Sequence, residues 1–457
     1  MKSWREECAV FGIWNDPEAG RMTYLGLYAQ QHRGQESAGI VSLNAETHIS
    51  HKGVGLVGDV FQEEHLLKLK GSAAIGHVRY STTGLNYLSN VQPLTAQLHK
   101  GPVAIAHNGN IVNAHIVRDH LIQQGAIFQG TNDTESLLHL LARHSDDNII
   151  KGLKKSVLDF EGAYSFVIMT QDRLIAMRDP KGFRPLVLGS RKLDNGEISY
   201  VVASETCAFD LIGATYEREI EPGEIFWVDK NGTHSEKFSS EKKKSQCVFE
   251  HVYFSRPDSL VFGQSVYEAR KNMGATLFHE NPVEADIVIP VPDSGVPAAI
   301  GFSNASKIPF EFGIIRNHYI GRTFIQPSQS IRSFGVKIKL NPQKSILEGK
   351  RVVVIDDSLV RGTTSKKIIS LVRQAGAKEV HFYVASPPTK GPCYYGVDTP
   401  KRQQLIAAEK DVEEIRDFIG ADSLVYVSVE GLMKAVHGSE DTHCAACFNG
   451  KYPTEIF

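Results

Sequence analysis

The most constraining stretch of the chain is VVVIDDSLVRGTT, residues 352–364. A continuous β-branched run has no polar face to give to water, so it belongs to a strand covered on both sides, as in a parallel sheet. The run ends in two adjacent acids, a small Gly- and Thr-containing loop, and a helical pattern over Ser365–Gln374. Ligands in open α/β sheets bind beyond the carboxyl ends of the strands. The N–H groups of Arg361, Gly362, Thr363 and Thr364, with the hydroxyls of Ser358, Thr363 and Thr364, suit a phosphate at a helix N-terminus. Asp356 and Asp357 can accept hydrogen bonds from sugar hydroxyls or hold a Mg²⁺ that a phosphorylated substrate brings with it. Adjacent acids at a helix start are also ordinary caps, but strand, acid pair and Gly-Thr-Thr turn agree here, and no Walker A loop competes.

At 457 residues the chain is expected to hold two or three domains. Fifty Lys and Arg against 52 Asp and Glu leave it nearly neutral, which argues against a nucleic-acid surface. No apolar run approaches the ~20 residues of a membrane span, and the N-terminus lacks a secretory h-region. Six cysteines over this length do not make a disulfide scaffold, so a cytoplasmic protein with cysteines at metal or catalytic sites is expected.

The first half reads as short strands, at 9–14, 73–80, 102–108, 163–170 and 198–204, with helices near Asn113–Gln124 and Asp133–His144. The polar stretch 231–246 marks a connector. Beyond it, 285–292 and 350–356 are buried-strand runs and 423–428 is a weaker third. GVGLVG (53–58) fits a dinucleotide fingerprint, but no acid follows at the required distance, and a glycine-rich turn between strands is the better reading.

Cys8 stands between a charged heptapeptide and the strand-like run AVFGIW. It is either a small core residue or the first residue of a processed chain. Three segments bear on the choice: QQHRGQESAG with Arg33, GHVRYST with Arg79, and AHNGNIVN with Asn108 and Gly109. Taken alone, Asn-Gly is a hairpin turn and Asp133 in GTNDTES a helix N-cap.

VVVIDDSLVRGTT resembles the phosphoribosylpyrophosphate (PRPP) signature of type I phosphoribosyltransferases, and CAVFGI with the three segments resembles the class II glutamine amidotransferase domain, an N-terminal-nucleophile (Ntn) hydrolase. Together they resemble the glutamine PRPP amidotransferase family over nearly all of Cys8 to Phe457. The resemblance implies a two-domain α/β protein: a propeptide at 1–7 that is removed, an αββα glutaminase domain at 8–240, and a phosphoribosyltransferase domain with a mainly parallel sheet at 241–457. It implies Cys8 as nucleophile, Asn108 and Gly109 as oxyanion hole, and Arg33, Arg79 and Asp133 as glutamine contacts. It places pyrophosphate at Asp293, Ser294 and Gly295, and one Mg²⁺ per subunit at Ser294, Asp356 and Asp357. The basic segment 314–342, with Arg322 and Lys337, resembles a loop that closes over PRPP. The activity implied is the first committed step of de novo purine synthesis, in a homotetramer under purine nucleotide inhibition. One departure is Ala9, where the family usually has Gly after the nucleophile.

Cys207 reads as a core cysteine. Cys247, Cys393, Cys444 and Cys447 remain, the last two as C-A-A-C. Four thiolates hold either Zn²⁺ or an iron–sulfur cluster, and spacing does not decide. Their contexts resemble the iron–sulfur branch of the family, which implies one structural [4Fe–4S] cluster per subunit. Two other readings are a PRPP-sensing binding protein on an inactive fold and an amidotransferase serving a sugar-phosphate isomerase. The intact acid pair and glutamine motifs disfavour the first, and VIDDSLVRGTT the second.

Overall fold

The computed structural model describes residues 6–81, 88–144, 148–317, 340–399 and 401–456. Residues 1–5 lie outside this set, and so do Arg322 and Lys337 with most of the expected PRPP loop.

Two antiparallel sheets stack in the first half. In order across the first sheet run Thr215–Glu219, Val187–Lys192, Ile198–Ala203, Glu6–Trp14, Ala73–Ser81, Ser37–Asn44 and Thr47–Val54. The second holds Gly232–Lys237, Glu224–Asp229, Arg173–Arg178, Gly162–Met169, Gly101–Ile111 and Leu94–Leu98. Strand alternation builds the layers. Val10, Val41, Ile75 and Val202 of the first sheet meet Ala104, Ala106, Val167 and Ala176 of the second. Ala9, Phe11 and Ile13 point the other way, onto the helix Ala19–Ala29. Ile105, Phe166 and Ile168 cover the outer face of the second sheet against the helices Ala114–Gln123, Glu135–Arg143 and Ile149–Ser156. Each buried Val, Ile or Phe contributes about 1.5–3 kcal/mol, and a one-residue slip would move a strand's whole apolar set to the wrong layer. The register is therefore firmly set, and the result is a helix–sheet–sheet–helix sandwich.

The second half is a parallel sheet in the order Ile287–Pro290, Arg351–Asp356, Glu379–Val384, Ser423–Tyr426. Both faces are buried, as the β-branched runs predict. Val288, Val353 and Tyr383 pack on the helices Val266–Glu280 and Val296–Ser306, while Val352, Val354 and Phe382 pack on Thr363–Gln374 and Val412–Ile419.

Several local expectations change. Asn108-Gly109 is not a turn but lies inside the strand Gly101–Ile111. GVGLVG links a strand to the short helix Val57–Val60, not two strands. The polar stretch 231–246 begins with an edge strand, Gly232–Lys237, paired to Glu224–Asp229. Thr134, not Asp133, stands at the N-cap position of Glu135–Arg143, without a side-chain capping bond.

Candidate active sites

Cys8 is directly opposite Arg79 in the antiparallel pair of Glu6–Trp14 and Ala73–Ser81. Directly opposed residues share a sheet face, and alternation puts this pair on the face of Val10, towards the second sheet. Asn108 shares the parity of Ala104 and Ala106, which face back across the same gap. Ser204 joins the two sides: its hydroxyl oxygen accepts from the Val10 N–H at 3.0 Å and from Asn108 Nδ2 at 3.3 Å. Asn108 is fully buried, and its Oδ1 has no hydrogen-bond partner among the described residues. Gly109 has φ +146°, and a Cβ there would stand 2.2 Å from the Ala163 carbonyl oxygen, so only glycine fits. Ala9 is an ordinary strand residue opposite Val78 and is not among the residues with positive φ, so its departure from the family pattern carries no strain.

Two glutamine contacts expected from sequence have other partners. Arg33 is fully buried. Its Nε donates to the Cys8 carbonyl at 3.1 Å, and its Nη1 and Nη2 donate to Glu250 at 2.9 and 2.8 Å, with Glu205 and Ser255 also on Nη1. A guanidinium enclosed in this way holds the Cys8 backbone and does not present itself to a ligand. Asp133 accepts from the Ile111 N–H at 3.0 Å and lies 3.3 Å from His107 Nδ1. Burial pushes its carboxyl up, and His107 with the Ile111 and Thr134 N–H groups more than reverses the shift.

In the second unit Asp356 ends the strand Arg351–Asp356, Asp357 follows it, and both are buried. Asp357 accepts from Ser358 Oγ at 2.6 Å and is hydrogen-bonded to Ser294. Burial, then the charge of Asp357, raises the Asp356 carboxyl well above its usual range, and burial raises Asp357 as well. Two buried acids this close call for a cation or for hydroxyl donors. Gly362 precedes the helix Thr363–Gln374, whose N-terminus has no side-chain cap, while Arg361, Thr363 and Thr364 are exposed. Asp293 is exposed and ion-paired with Arg316, Ser294 is half-buried and Gly295 is buried.

The four remaining cysteines line one cavity of about 60 Å³, with Phe183 and Tyr452 among its walls. Cys247 and Cys444 are paired across a two-residue parallel ladder that ties the connector to the C-terminal segment. The Tyr395 N–H donates to Cys393 Sγ at 3.3 Å, and the Cys447 carbonyl accepts from Lys390 and Gly391. Burial pushes the Cys247 thiol up to about 12 and those of Cys444 and Cys447 well above their usual range. None of the four is in a disulfide, and among the described residues no three His, Cys, Asp or Glu side chains are gathered closely enough to hold a metal ion. Cys207 is a buried core thiol, as expected.

Several contacts missed from sequence join distant segments: Ser204 reaches Asn108, Glu205 and Glu250 meet on Arg33, Arg270 holds the His251 and Ser255 carbonyls, and Gly396 lies against Gly109. The one local signal was Glu250, an acid inside the apolar run CVFEHVYF.

An Ntn-type sandwich with Cys8 and Asn108 on the facing surfaces of its two sheets, joined to a parallel sheet carrying an acid pair, defines a glutamine amidotransferase fused to a phosphoribosyltransferase. Residues 77–210 match the glutamine amidotransferase domain family and 265–412 the phosphoribosyl transferase domain family. The chain is 54% identical over 452 residues to amidophosphoribosyltransferase 1, chloroplastic, of Arabidopsis thaliana, covering 99% of this chain and 79% of that protein. It is 51% identical over 462 residues to the amidophosphoribosyltransferase of Bacillus subtilis, covering 100% and 96%. The solved structure of glutamine PRPP amidotransferase from B. subtilis, complexed with ADP and GMP, superposes with a TM-score of 0.92 at 51% identity over 98% of each chain. The chain belongs to the amidophosphoribosyltransferases, the glutamine-dependent enzymes of the first step of purine biosynthesis.

Proposed function

We propose that Cys8 hydrolyses glutamine and that the ammonia passes within the chain to PRPP, giving 5-phosphoribosylamine, pyrophosphate and glutamate. The observation that carries this reading is the contact between the two units. A Cβ on Gly396 would stand 3.0 Å from Gly109 Cα, so the phosphoribosyltransferase unit rests on the strand that holds Asn108 and Gly109. Ammonia released there is already at the domain boundary.

Removal of residues 1–7, with the enzyme's domains then spanning 8–240 and 241–457, turns the Cys8 amide nitrogen into an amine with pKa near ~8, a usable base beside its own thiol. The thiol adds to the glutamine carboxamide, and the Asn108 amide and Gly109 N–H stabilise the oxyanion, charge that exists only in the transition state. Arg79 pairs with the substrate carboxylate and Asp133 with its ammonium group. Ammonia leaves, water frees glutamate, and the ammonia displaces pyrophosphate from C1 of PRPP.

At the second site Arg361, Gly362, Thr363 and Thr364 with Ser358 bind the 5-phosphate, and Asp293, Ser294 and Gly295 the pyrophosphate. Asp356, Asp357 and Ser294 would hold one Mg²⁺, which supplies charge neutralisation; the adjacent buried carboxyls and the hydrogen bond between Ser294 and Asp357 fit that role. Arg322 and Lys337 close over the polyphosphate, and that closure raises glutaminase turnover. Cys247, Cys393, Cys444 and Cys447 would hold a [4Fe–4S] cluster, which supplies a structural staple. The enzyme works in the cytoplasm as a homotetramer inhibited by purine nucleotides; among the described residues no helix is long and apolar enough to cross a membrane.

The test is the nitrogen donor. Cys8→Ser should abolish glutamine use and leave synthesis from high ammonia intact, and mature wild-type protein should begin at Cys8. An active enzyme that keeps Met1 by intact mass, or a Cys8→Ser variant that still uses glutamine, rejects the reading.

A further inference from the structure

Ser204 follows the strand Ile198–Ala203 and is fully buried. It lies two residues beyond Val202, which faces the second sheet, so its side chain points into the gap between the sheets. Its N–H donates to the Val10 carbonyl at 3.1 Å. The Val10 N–H donates in return to the Ser204 hydroxyl oxygen at 3.0 Å, and Asn108 Nδ2 reaches that same oxygen from the other sheet at 3.3 Å. A serine hydroxyl has two acceptor positions, and these two donors fill them. One atom thus ties the strand of Cys8, two residues from Cys8 itself, to the amide of Asn108.

The backbone under Asn108 is held independently. The strand Leu94–Leu98 pairs with Gly101–Ile111 only as far as Leu94 opposite Ile105. Beyond that point side chains hold the strand. Gln92 Oε1 accepts from the His107 N–H at 2.7 Å, and His77 Nε2 donates to the His107 carbonyl at 3.0 Å. What this leaves open is the turn of the Asn108 carboxamide, whose two ends have nearly the same shape. Its nitrogen carries two protons. One goes to Ser204, and the other has no acceptor among the described residues.

We infer that Ser204 is a positioning residue for the glutaminase reaction: its hydroxyl oxygen holds the nitrogen end of the Asn108 amide, so that the second N–H is presented to the oxyanion. This deepens the oxyanion reading above and rests on it. A donor fixed before the charge appears needs no reorganisation when it does. Without the oxygen the amide is free to turn end for end. A turned amide offers Oδ1 to the developing negative charge, which it repels. The effect belongs to the transition state and not to glutamine binding, so it falls on kcat and leaves KM.

Ser204→Ala removes the oxygen. Glutaminase kcat should fall at least about ten-fold, short of the about 10²–10³-fold lost when such a donor is itself deleted. KM for glutamine and the rate of ammonia-dependent synthesis should stay within about two-fold of wild type. Ser204→Cys, which keeps the side chain's place with a weaker acceptor, should show the same kcat-specific loss to a smaller degree, and it serves if the alanine variant does not fold. Asn108→Ala combined with Ser204→Ala should lose no more than about two-fold beyond Asn108→Ala alone, because both act on one donor. A purely structural Ser204 would instead lower folded yield and all rates together, and the two losses would multiply. Either of those results, or a wild-type glutaminase kcat in the Ser204 variants beside a large loss in Asn108→Ala, overturns the Ser204 proposal alone. A wild-type kcat in Asn108→Ala refutes the oxyanion reading and the proposal with it.

Discussion

Asn110 Nδ2 donates to the Tyr394 carbonyl at 2.8 Å, joining the strand Gly101–Ile111 of the glutamine amidotransferase unit to a segment of the phosphoribosyltransferase unit. Tyr394 follows Cys393 and precedes Tyr395, whose ring stacks on Phe183 with centroids 4.1 Å apart. One short segment thus touches the glutamine site, the thiol cavity and the domain junction.

Gly396 tests that seat. It has φ +95° and lies against the Gly109 backbone, so a side chain there is strained twice. Gly396→Val should lower glutamine-dependent synthesis about 10²-fold, the scale of a ~1 Å misplacement, while ammonia-dependent synthesis is largely kept. The ratio of the two rates is the measurement, and an unchanged ratio counts against the contact.

The thiol cavity predicts a metal content. Anaerobically purified protein should be brown and carry about four irons with sulfide, as a cysteine-ligated cluster requires. Stoichiometric zinc without iron would exclude the cluster. Because Cys247 and Cys444 tie the connector to the C-terminal segment, Cys447→Ser should act mainly on folded yield.

For the acid pair, Asp356→Asn or Asp357→Asn should impair PRPP turnover equally with glutamine and with ammonia, since both donors meet PRPP at one site. A ten-fold or greater loss is expected, about 1.4 kcal/mol or more of transition-state stabilisation. Unaltered ammonia kinetics would reduce the pair to a helix cap.

Stability should fall in mild acid. Burial holds His77 down to about 3, and His251 and His443 to about 4. Below pH ~6.5 the unfolded chain takes up protons that the folded one refuses, so each histidine withdraws up to about 1.4 kcal/mol per pH unit. Asp179, raised by burial to about 6, binds its proton more readily when folded and offsets part of this loss as pH falls through 6. Urea midpoints from pH 7 to 5 should therefore fall, and more shallowly for His77→Gln; a flat wild-type profile would contradict the assignment.

The sequence by itself determined the parts that depend on near neighbours. VVVIDDSLVRGTT specifies strand, acid pair and helix start within one window, because period, turn chemistry and charge act over a few residues. The four cysteines and Cys8 were visible for the same reason, as reactive groups in distinctive local contexts. What only the tertiary structure decided is pairing. Local energetics favour Asn-Gly in a turn, and only pairing with the neighbouring strand places Gly109 in a strand instead. Arg33 looked like a ligand contact because its partners, Glu205 and Glu250, are remote in the chain, and burial without both would leave an unpaired charge. The Ser204 bridge, the Gly396 seat and the Arg270 clamp are likewise contacts between distant segments. They form only once the two cores have packed and solvent has left the junction.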